Sequence, residues 1–557
     1  MQPGVIPPAP FALHRLAPWA WLLLPLACHL GFSWIGFNPT DDGWLQAVAR
    51  RMLDGEFPHR DFIFVRPALS ALLQVPVVWL GGEHTIWLSR LWGWLTIGGL
   101  SWIWSGFALP GRTPWAVRYP LFAAVFFLTA HVFPVMAWHT LDGILLCSLA
   151  VALAARGTPD GLRAAFVCVG LAALCRQNFA LFTPFLVLAS PDPRRWTAMF
   201  WAALPPVAYL AATAAAGCLP EFIHQAAATG GAFKGAAIDR FTQTPVFLWA
   251  IPVGALAGFV IHFAGRRPGA AGGLLVLLTA LVAAGFAAVN LWSGAGGFHL
   301  GAFKFFGFAL GLVLAVAVAG RGWPGAERLT LVAGLGLTWV TTISLGWNSP
   351  ALMTGVLLVL VWRGGHRLLA DAGQPAERWS QGVALISLVA IGAAFWHARQ
   401  LYPYRDRAAA ELRFEVGDVL PGAAGMRTNE LTYAVLADLR QLIAQCEAEH
   451  QPYAILTDCA AVWIRSPQRN LLPAEWPQET ELGYDAKLVN RVVDAVRGLP
   501  PGSRVFVQRV LISELSLGLY GVPLEWNYYF VQNWVRKHAR RTGESRFFEV
   551  YLPPAPP

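Results

Sequence analysis

The sequence predicts a polytopic, all-α membrane protein of about 13 transmembrane helices, followed by a soluble α/β domain. Three observations carry that prediction. Hydrophobic residues fill 56% of the 557 positions and charged residues only 13%, with a mean hydropathy of +0.49. A soluble chain is about one quarter charged. The charge is also uneven: residues 1–397 hold 23 basic and 14 acidic residues, whereas 398–557 hold 18 of each. The whole excess of +9 thus lies in the apolar part, and there it recurs in alternate loops. Seven cysteines in this length make no disulfide framework. With no basic patch on the soluble part, nucleic-acid binding is excluded.

A spanning helix needs ~20 mostly apolar residues. Candidate spans run near 16–37, 84–109, 117–137, 140–155, 162–175, 178–189, 197–218, 245–264, 270–293, 299–320, 329–346, 350–362 and 380–397. The first is too long for a signal peptide and lacks a small-residue cleavage site. Short cytoplasmic loops concentrate Lys and Arg. One alternate set holds Arg15, Arg112 and Arg118, Arg156 and Arg163, Arg194 and Arg195, Arg266 and Arg267, Arg321 and Arg328, then Arg363, Arg367 and Arg378. The other set contains the long loops 38–83 and 219–244. This alternation puts the N-terminus in the cytoplasm and the tail, 398–557, outside.

The pair of spans between Arg156/Arg163 and Arg194/Arg195 is short. Each leg has about 12–14 residues, or ~20 Å at 1.5 Å per residue, against a ~30 Å hydrocarbon core. The apex Arg176-Gln177-Asn178 is therefore expected below the outer surface. One long tilted span is the alternative.

Ionisable groups in a membrane are costly and mark functional candidates. They gather at the outer ends of the spans: Arg90, His139, Asp142, Arg176, His299 and Lys304. The long outer loops add Asp41, Asp42, Arg60, Asp61 and Arg66, then Lys234, Asp239 and Arg240. Carboxylates and cations thus share one face, where a lipid phosphate and a water-borne acceptor meet. Simpler readings stand beside this: Arg90 and Lys304 snorkelling to headgroups, Asp142 capping its helix, Asp239 and Arg240 merely solvated.

The first outer loop is the most organised. Leu45, Val48, Ala49, Met52 and Leu53 form a helical apolar stripe. An interfacial helix lying on the bilayer and ending at Gly55 is expected. Its start can be read as a cap, with Asn38 at N-cap, Pro39 at N1 and Asp41 as the capping-box acid. On a helical wheel, however, Asp41 falls on the apolar side, which points to catalysis.

These residues resemble a family. Asp41-Asp42-Gly43-Trp44, then Gly55-Glu56-Phe57-Pro58-His59-Arg60-Asp61-Phe62 and Arg66-Pro67-Ala68-Leu69, look like the first-loop pattern of GT-C glycosyltransferases. The superfamily includes dolichyl-phosphate-mannose and aminoarabinose transferase-like enzymes. Trp138-His139-Thr140-Leu141-Asp142-Gly143 is similar to its second acidic position, Cys175-Arg176-Gln177-Asn178 to the basic-Gln element, and Phe298-His299 to a later aromatic-His element. His59 replaces the usual Tyr, Arg66 the first Pro, and the acidic pair is Asp-Asp rather than Asp-Glu, which leaves the substrate open.

The resemblance implies a GT-C-like enzyme on the outer side of a bacterial inner membrane. Its donor would be a polyprenyl-phosphate-linked sugar and its acceptor a lipid, glycan or protein hydroxyl. A sugar phosphate already carries a good leaving group, so a carboxylate base and phosphate-neutralising cations suffice. Asp41 is the first choice for base, with Asp42 and Asp142 orienting it or the acceptor. Arg176 leads the phosphate ligands, followed by His299, Lys304 and Arg240, while Arg60, Asp61, Arg66, His139 and Gln177 line the substrate loop. No cofactor is expected; a divalent metal occurs in some relatives, but Asp41-Asp42 is a thin ligand set for one.

In the tail, the patterns predict a helix over 431–449, a strand at 453–457, a helix over 486–496 and a strand at 504–508. Such a domain would cap the membrane site. Trp476 either stacks on a sugar or packs. Cys446 and Cys459 sit in an oxidising compartment and are candidates to pair; Cys28, Cys147, Cys168, Cys175 and Cys218 read as apolar fillers. Two rival classes stay open, a transporter or flippase for lipid-linked sugars and a non-enzymatic assembly protein. The first expects inverted repeats and midplane charges; the second expects dispensable outer-face acids.

Overall fold

The apolar runs become helices, and the structure is 67% helical. It is a computed structural model that describes residues 17–109, 113–131, 135–228, 252–256, 258–259, 285, 309–313, 325–343, 350–371, 373, 376–401, 403, 405–482, 485–512, 515, 518–523 and 529–554. Helices α1 (Leu23–Phe32), α2 (Trp44–Leu53), α3 (Leu69–Gly81), α4 (Thr85–Ser105), α5 (Trp115–His131), α6 (His139–Ala154) and α7 (Pro159–Cys175) come first. They are followed by α8 (Phe182–Ala189), α9 (Arg195–Ala215), α10 (Leu219–Ala228), α11 (Gly325–Thr342), α12 (Thr354–Asp371) and α13 (Ala376–Leu401).

Among the described residues, only α9 and the Gln381–Leu401 part of α13 are long and apolar enough to cross a membrane. Just 22% and 33% of their most apolar windows are buried. The outward residues include Trp196, Phe200, Leu204 and Val207 on α9, and Leu385, Ile386, Val389 and Trp396 on α13. The core helix of a soluble protein would hide such side chains. The stretches Trp19–Phe32, Trp115–Ala130, His139–Ala154 and Gln177–Ala189 are apolar but shorter. Two of the thirteen candidate spans thus meet that test among the described residues, others are shorter apolar helices, and the candidates at 245–264, 270–293 and 299–320 fall mostly outside the described residues.

The short hairpin is present. α7 ends at Cys175, Arg176 is extended (φ −160°, ψ 134°), and a 3-10 turn, Gln177–Leu181, leads into α8. The turn is pinned on both sides: Gln177 Nε2 donates to Val65 O at 2.9 Å and Asn178 Nδ2 to Val340 O at 2.8 Å. A Cβ on Gly336 would meet the Phe185 ring, and one on Gly325 would meet Pro191. Successive contacts of 178, 185 and 191 with 340, 336 and 325 set α8 antiparallel to α11.

Two loop assignments change. The segment 38–83 is not open: besides α2 it holds α3, a thirteen-residue helix that the sequence reading does not anticipate. Nor does α2 lie on a surface, because Trp44, Leu45, Gln46, Ala47, Val48, Ala49 and Arg51 are all buried. It packs on α3, where Gln46 Nε2 donates to Gln74 Oε1 at 2.9 Å, and against the tail's 3-10 turn Ala460–Ile464. Arg363, expected in a cytoplasmic loop, lies inside α12, where it donates to Phe107 O at 2.7 Å and pairs with Glu327 at 3.3 Å. That contact ties one end of α4, α11 and α12 together. The other long loop, 219–244, opens with α10.

The tail folds as its patterns predict. Helices α14 (Glu430–Ala448), α15 (Ala486–Arg497) and α16 (Phe530–His538) accompany strands β3 (Tyr453–Leu456), β4 (Arg504–Gln508), β5 (Arg540–Glu544) and β6 (Phe548–Leu552) in a sheet of order β3-β4-β6-β5. The small pair β1 (Phe414–Glu415) and β2 (Arg427–Thr428) precedes them. β3 and β4 run parallel, which a helical crossover requires, and β5 and β6 form an antiparallel hairpin. Asn429 caps α14 and Asp485 caps α15. Cys446 and Cys459, the candidates to pair, are both buried and free.

Candidate active site

One hydrophobic cluster joins the first loop to the tail. Phe37, Trp44, Leu45, Phe62 and Phe64 share it with Ala460, Ala461, Ile464, Trp476 and Phe506. Trp44 and Trp476 stack with centroids 4.8 Å apart and planes at 20°, and Trp138 tilts onto Trp44 at 5.6 Å. Trp476 is therefore packed. Arg66 and His139 both lie against the Trp44 ring of this seam.

The three candidate carboxylates are all buried and differently engaged. Asp42 Oδ2 accepts the Asn38 N–H at 2.9 Å and the Arg90 guanidinium at 2.9 Å. Asn38 in turn accepts the Asp41 N–H at 3.0 Å. Asp42 thus answers the Asn38 N–H while the Asn38 side chain answers that of Asp41, and neither acid caps α2. The reason is local: residues 38–43 form a turn that Gly43 closes at φ 84°, so the helix begins at Trp44 rather than at Pro39. Asp41 is released from capping and meets Arg405 instead, Oδ2 to Nη1 at 3.0 Å. Asp142, in the first turn of α6, accepts from Trp92 Nε1 at 2.9 Å, while its Oδ2 is buried with no hydrogen-bond partner among the described residues.

The cations are equally specific. Arg90 does not snorkel: it is buried and donates to Ser33 O, Ile35 O and Gly36 O as well as to Asp42. Arg176 Nη1 donates to His139 Nε2 at 2.8 Å. A guanidinium can only donate, so the His139 ring is neutral with its proton on Nδ1, a buried atom with no partner among the described residues. Arg66 and Arg176 both lie within electrostatic reach of His139. Arg66 itself sits 5.1 Å over the Trp44 ring and pairs through both Nη atoms with Glu481 of the tail, at 2.5 and 2.7 Å.

Comparison with protein-family profiles, with characterised proteins and with solved structures returns no match.

The structure sets Arg176 against His139 with Arg66 in electrostatic reach, and gives Asp41, Asp42 and Asp142 separate partners in Arg405, Arg90 and Trp92. Arg60 and Asp61 do not join them. They form an exposed pair at 2.9 Å, and that bond holds the Asp61 carboxyl below its ordinary range. Asp61 also accepts the Phe57 N–H, which makes it a loop brace. Gln177 Nε2 ties the apex to Val65 O at 2.9 Å. His299, Lys304 and Arg240 lie outside the described residues.

Sequence reasoning missed three contributors. Arg405 directly follows the last span, in an Arg-Asp-Arg run that a search for charges at membrane exits would have flagged. Glu481 and Asp458 come from the tail. Asp458 is fully buried, accepts from Tyr529 OH at 2.7 Å, and has its carboxyl pushed up to about 6 by burial, with the Asp41 charge adding to the shift. As for metal, Asp41 and Asp42 each answer a different arginine. No group of three or more His, Cys, Asp or Glu suited to a metal forms among the described residues.

Proposed function

We propose that this chain is a glycosyltransferase of GT-C type, moving a sugar from a polyprenyl-phosphate carrier to an acceptor hydroxyl at the outer face of a bacterial inner membrane. The observation that carries the reading is the division of labour in the adjacent pair. Asp42 closes the turn at Asn38 and holds Arg90, whereas Asp41 faces Arg405. In the reaction, the acceptor oxygen attacks the anomeric carbon as the bond from that carbon to the phosphate oxygen breaks. The hydroxyl proton passes to Asp41, and the polyprenyl phosphate departs with its charge met by guanidinium groups. Arg176, oriented by neutral His139, is one such group. Asp142, held by Trp92 Nε1, is the second carboxylate of the proposed site. The reading needs no metal.

The exposed apolar faces of α9 and α13 support a bilayer as the surroundings. The proposed topology has about thirteen crossings, N-terminus inside and tail outside, in keeping with the Arg-rich alternate loops. Mass spectrometry of lipid-linked and surface glycans tests the function. A deletion strain should lose one sugar from a glycan and accumulate its carrier, and an unchanged glycan profile would exclude it. A reporter that fluoresces only in the cytoplasm, fused after Pro557, should stay dark; bright cells would refute the orientation.

A further inference from the structure

Arg405 is held in an unusual state. It has φ 48°, a left-handed backbone that is strained for a non-glycine residue. Its neighbour Asp406 enforces this conformation. Asp406 Oδ2 accepts from Phe37 N (2.9 Å) and Thr428 Oγ1 (2.8 Å), and Oδ1 accepts from Arg407 N (2.8 Å) and Asn429 Nδ2 (2.7 Å). Pro403 meanwhile presses on Gly36. The segment leaving α13 is thereby clamped to the first loop, with Arg405 aimed at Asp41. Side-chain exposure is 37% for Arg405 and 10% for Asp41. An anion arriving from outside therefore reaches the guanidinium before it reaches the carboxylate.

We propose that Arg405 is a phosphate ligand for which Asp41 stands in until the carrier arrives. The inference rests on the glycosyl-transfer reading. A carboxylate paired with a guanidinium is a weak proton acceptor, and a phosphate offers that guanidinium more charge and more acceptor oxygens. Carrier binding then draws Arg405 away and leaves Asp41 ready for the acceptor proton. The base is thus exposed only when donor is present, which suppresses wasteful hydrolysis.

The exchange predicts an inverse effect. Measured with the full chain in phosphatidylcholine nanodiscs, undecaprenyl phosphate should bind Asp41→Asn roughly two- to fivefold more tightly than wild type, because an internal competitor is gone. Arg405→Gln should weaken binding about tenfold, the scale of a charge-assisted hydrogen bond. In the double variant the gain from Asp41→Asn should vanish. Unchanged or weaker binding by Asp41→Asn, or a gain that persists without Arg405, overturns the proposal. If Arg405→Gln fails to fold, the cycle is run with Arg405→Lys, where the gain should shrink, and an undiminished gain counts against it. Inorganic phosphate and added phosphatidylglycerol are the source controls: competition by either as strong as by the polyprenyl phosphate overturns carrier recognition. Failure here with intact sugar transfer leaves the enzyme reading standing. Tighter binding by Asp41→Asn with no transfer by wild type does the reverse.

Discussion

Gly43 and Ala461 stand so close that a Cβ on Gly43 would lie 2.6 Å from that of Ala461. Gly43 also has φ 84°, where only glycine is at ease. The tail is therefore seated directly on the turn that presents Asp41 and Asp42. Gly43→Ala should both strain the turn and push the tail away, at a cost of roughly 1–3 kcal/mol. Faster proteolytic release of the tail and a lower unfolding temperature are expected; a variant as resistant as wild type would mean the seat is elsewhere.

The Arg66–Glu481 pair closes the same seam from the other side. Removing either partner leaves a largely buried charge, so Arg66→Gln and Glu481→Gln should each destabilise more than the double variant predicts by addition. A coupling of about 1–3 kcal/mol in a double-mutant cycle of thermal unfolding is expected. Additive effects would show that the pair is not a latch.

The tail was largely legible in the sequence, and the first loop was not. In α15, Leu488, Val492, Val493 and Val496 repeat at helical spacing and bury together, and Asp485 caps the start, so local pattern and tertiary packing agree. α3 was hidden because thirteen residues with Gln74 and Pro76 inside match neither a span nor an amphipathic surface helix. That neither acid caps α2 follows from Gly43, which starts the helix at Trp44 and which hydropathy does not register. Arg405 meets Asp41 across 364 positions, and no spacing rule reaches that far.

Two buried groups outside the spans give opposite pH signatures. His59 donates from Nδ1 to Gln225 Oε1 and accepts at Nε2 from Tyr209 OH, so it is neutral; burial lowers its pKa from 6.5 to about 4. The unfolded chain then binds a proton that the folded chain resists. Stability fully present above pH 6.5 is lost as pH falls toward 4. His59→Gln should flatten that acid limb in a melting series, and an unaltered limb would remove His59 as its origin.

Asp458 behaves in the reverse sense. Its folded pKa is raised from 3.8 to about 6, so the folded state carries a penalty that grows as pH rises through this range and is complete above it. Asp458→Asn keeps an acceptor for Tyr529. It should melt higher than wild type at pH 7–8 and equally near pH 4. A variant less stable at every pH would refute this account of the buried carboxyl.

The central claim is that the adjacent acids have separate tasks, catalysis for Asp41 and structure for Asp42. The most direct measurement is sugar transfer by Asp41→Asn and Asp42→Asn at equal membrane level, each paired with its unfolding temperature. Asp41→Asn should keep the wild-type unfolding temperature within a few degrees and lose roughly 10²-fold or more of turnover. Asp42→Asn leaves the buried Arg90 without its counter-charge and should unfold earlier, by the several degrees that about 1–3 kcal/mol implies. Near-normal transfer by Asp41→Asn, or a loss of transfer in Asp42→Asn with no loss of stability, would contradict the assignment.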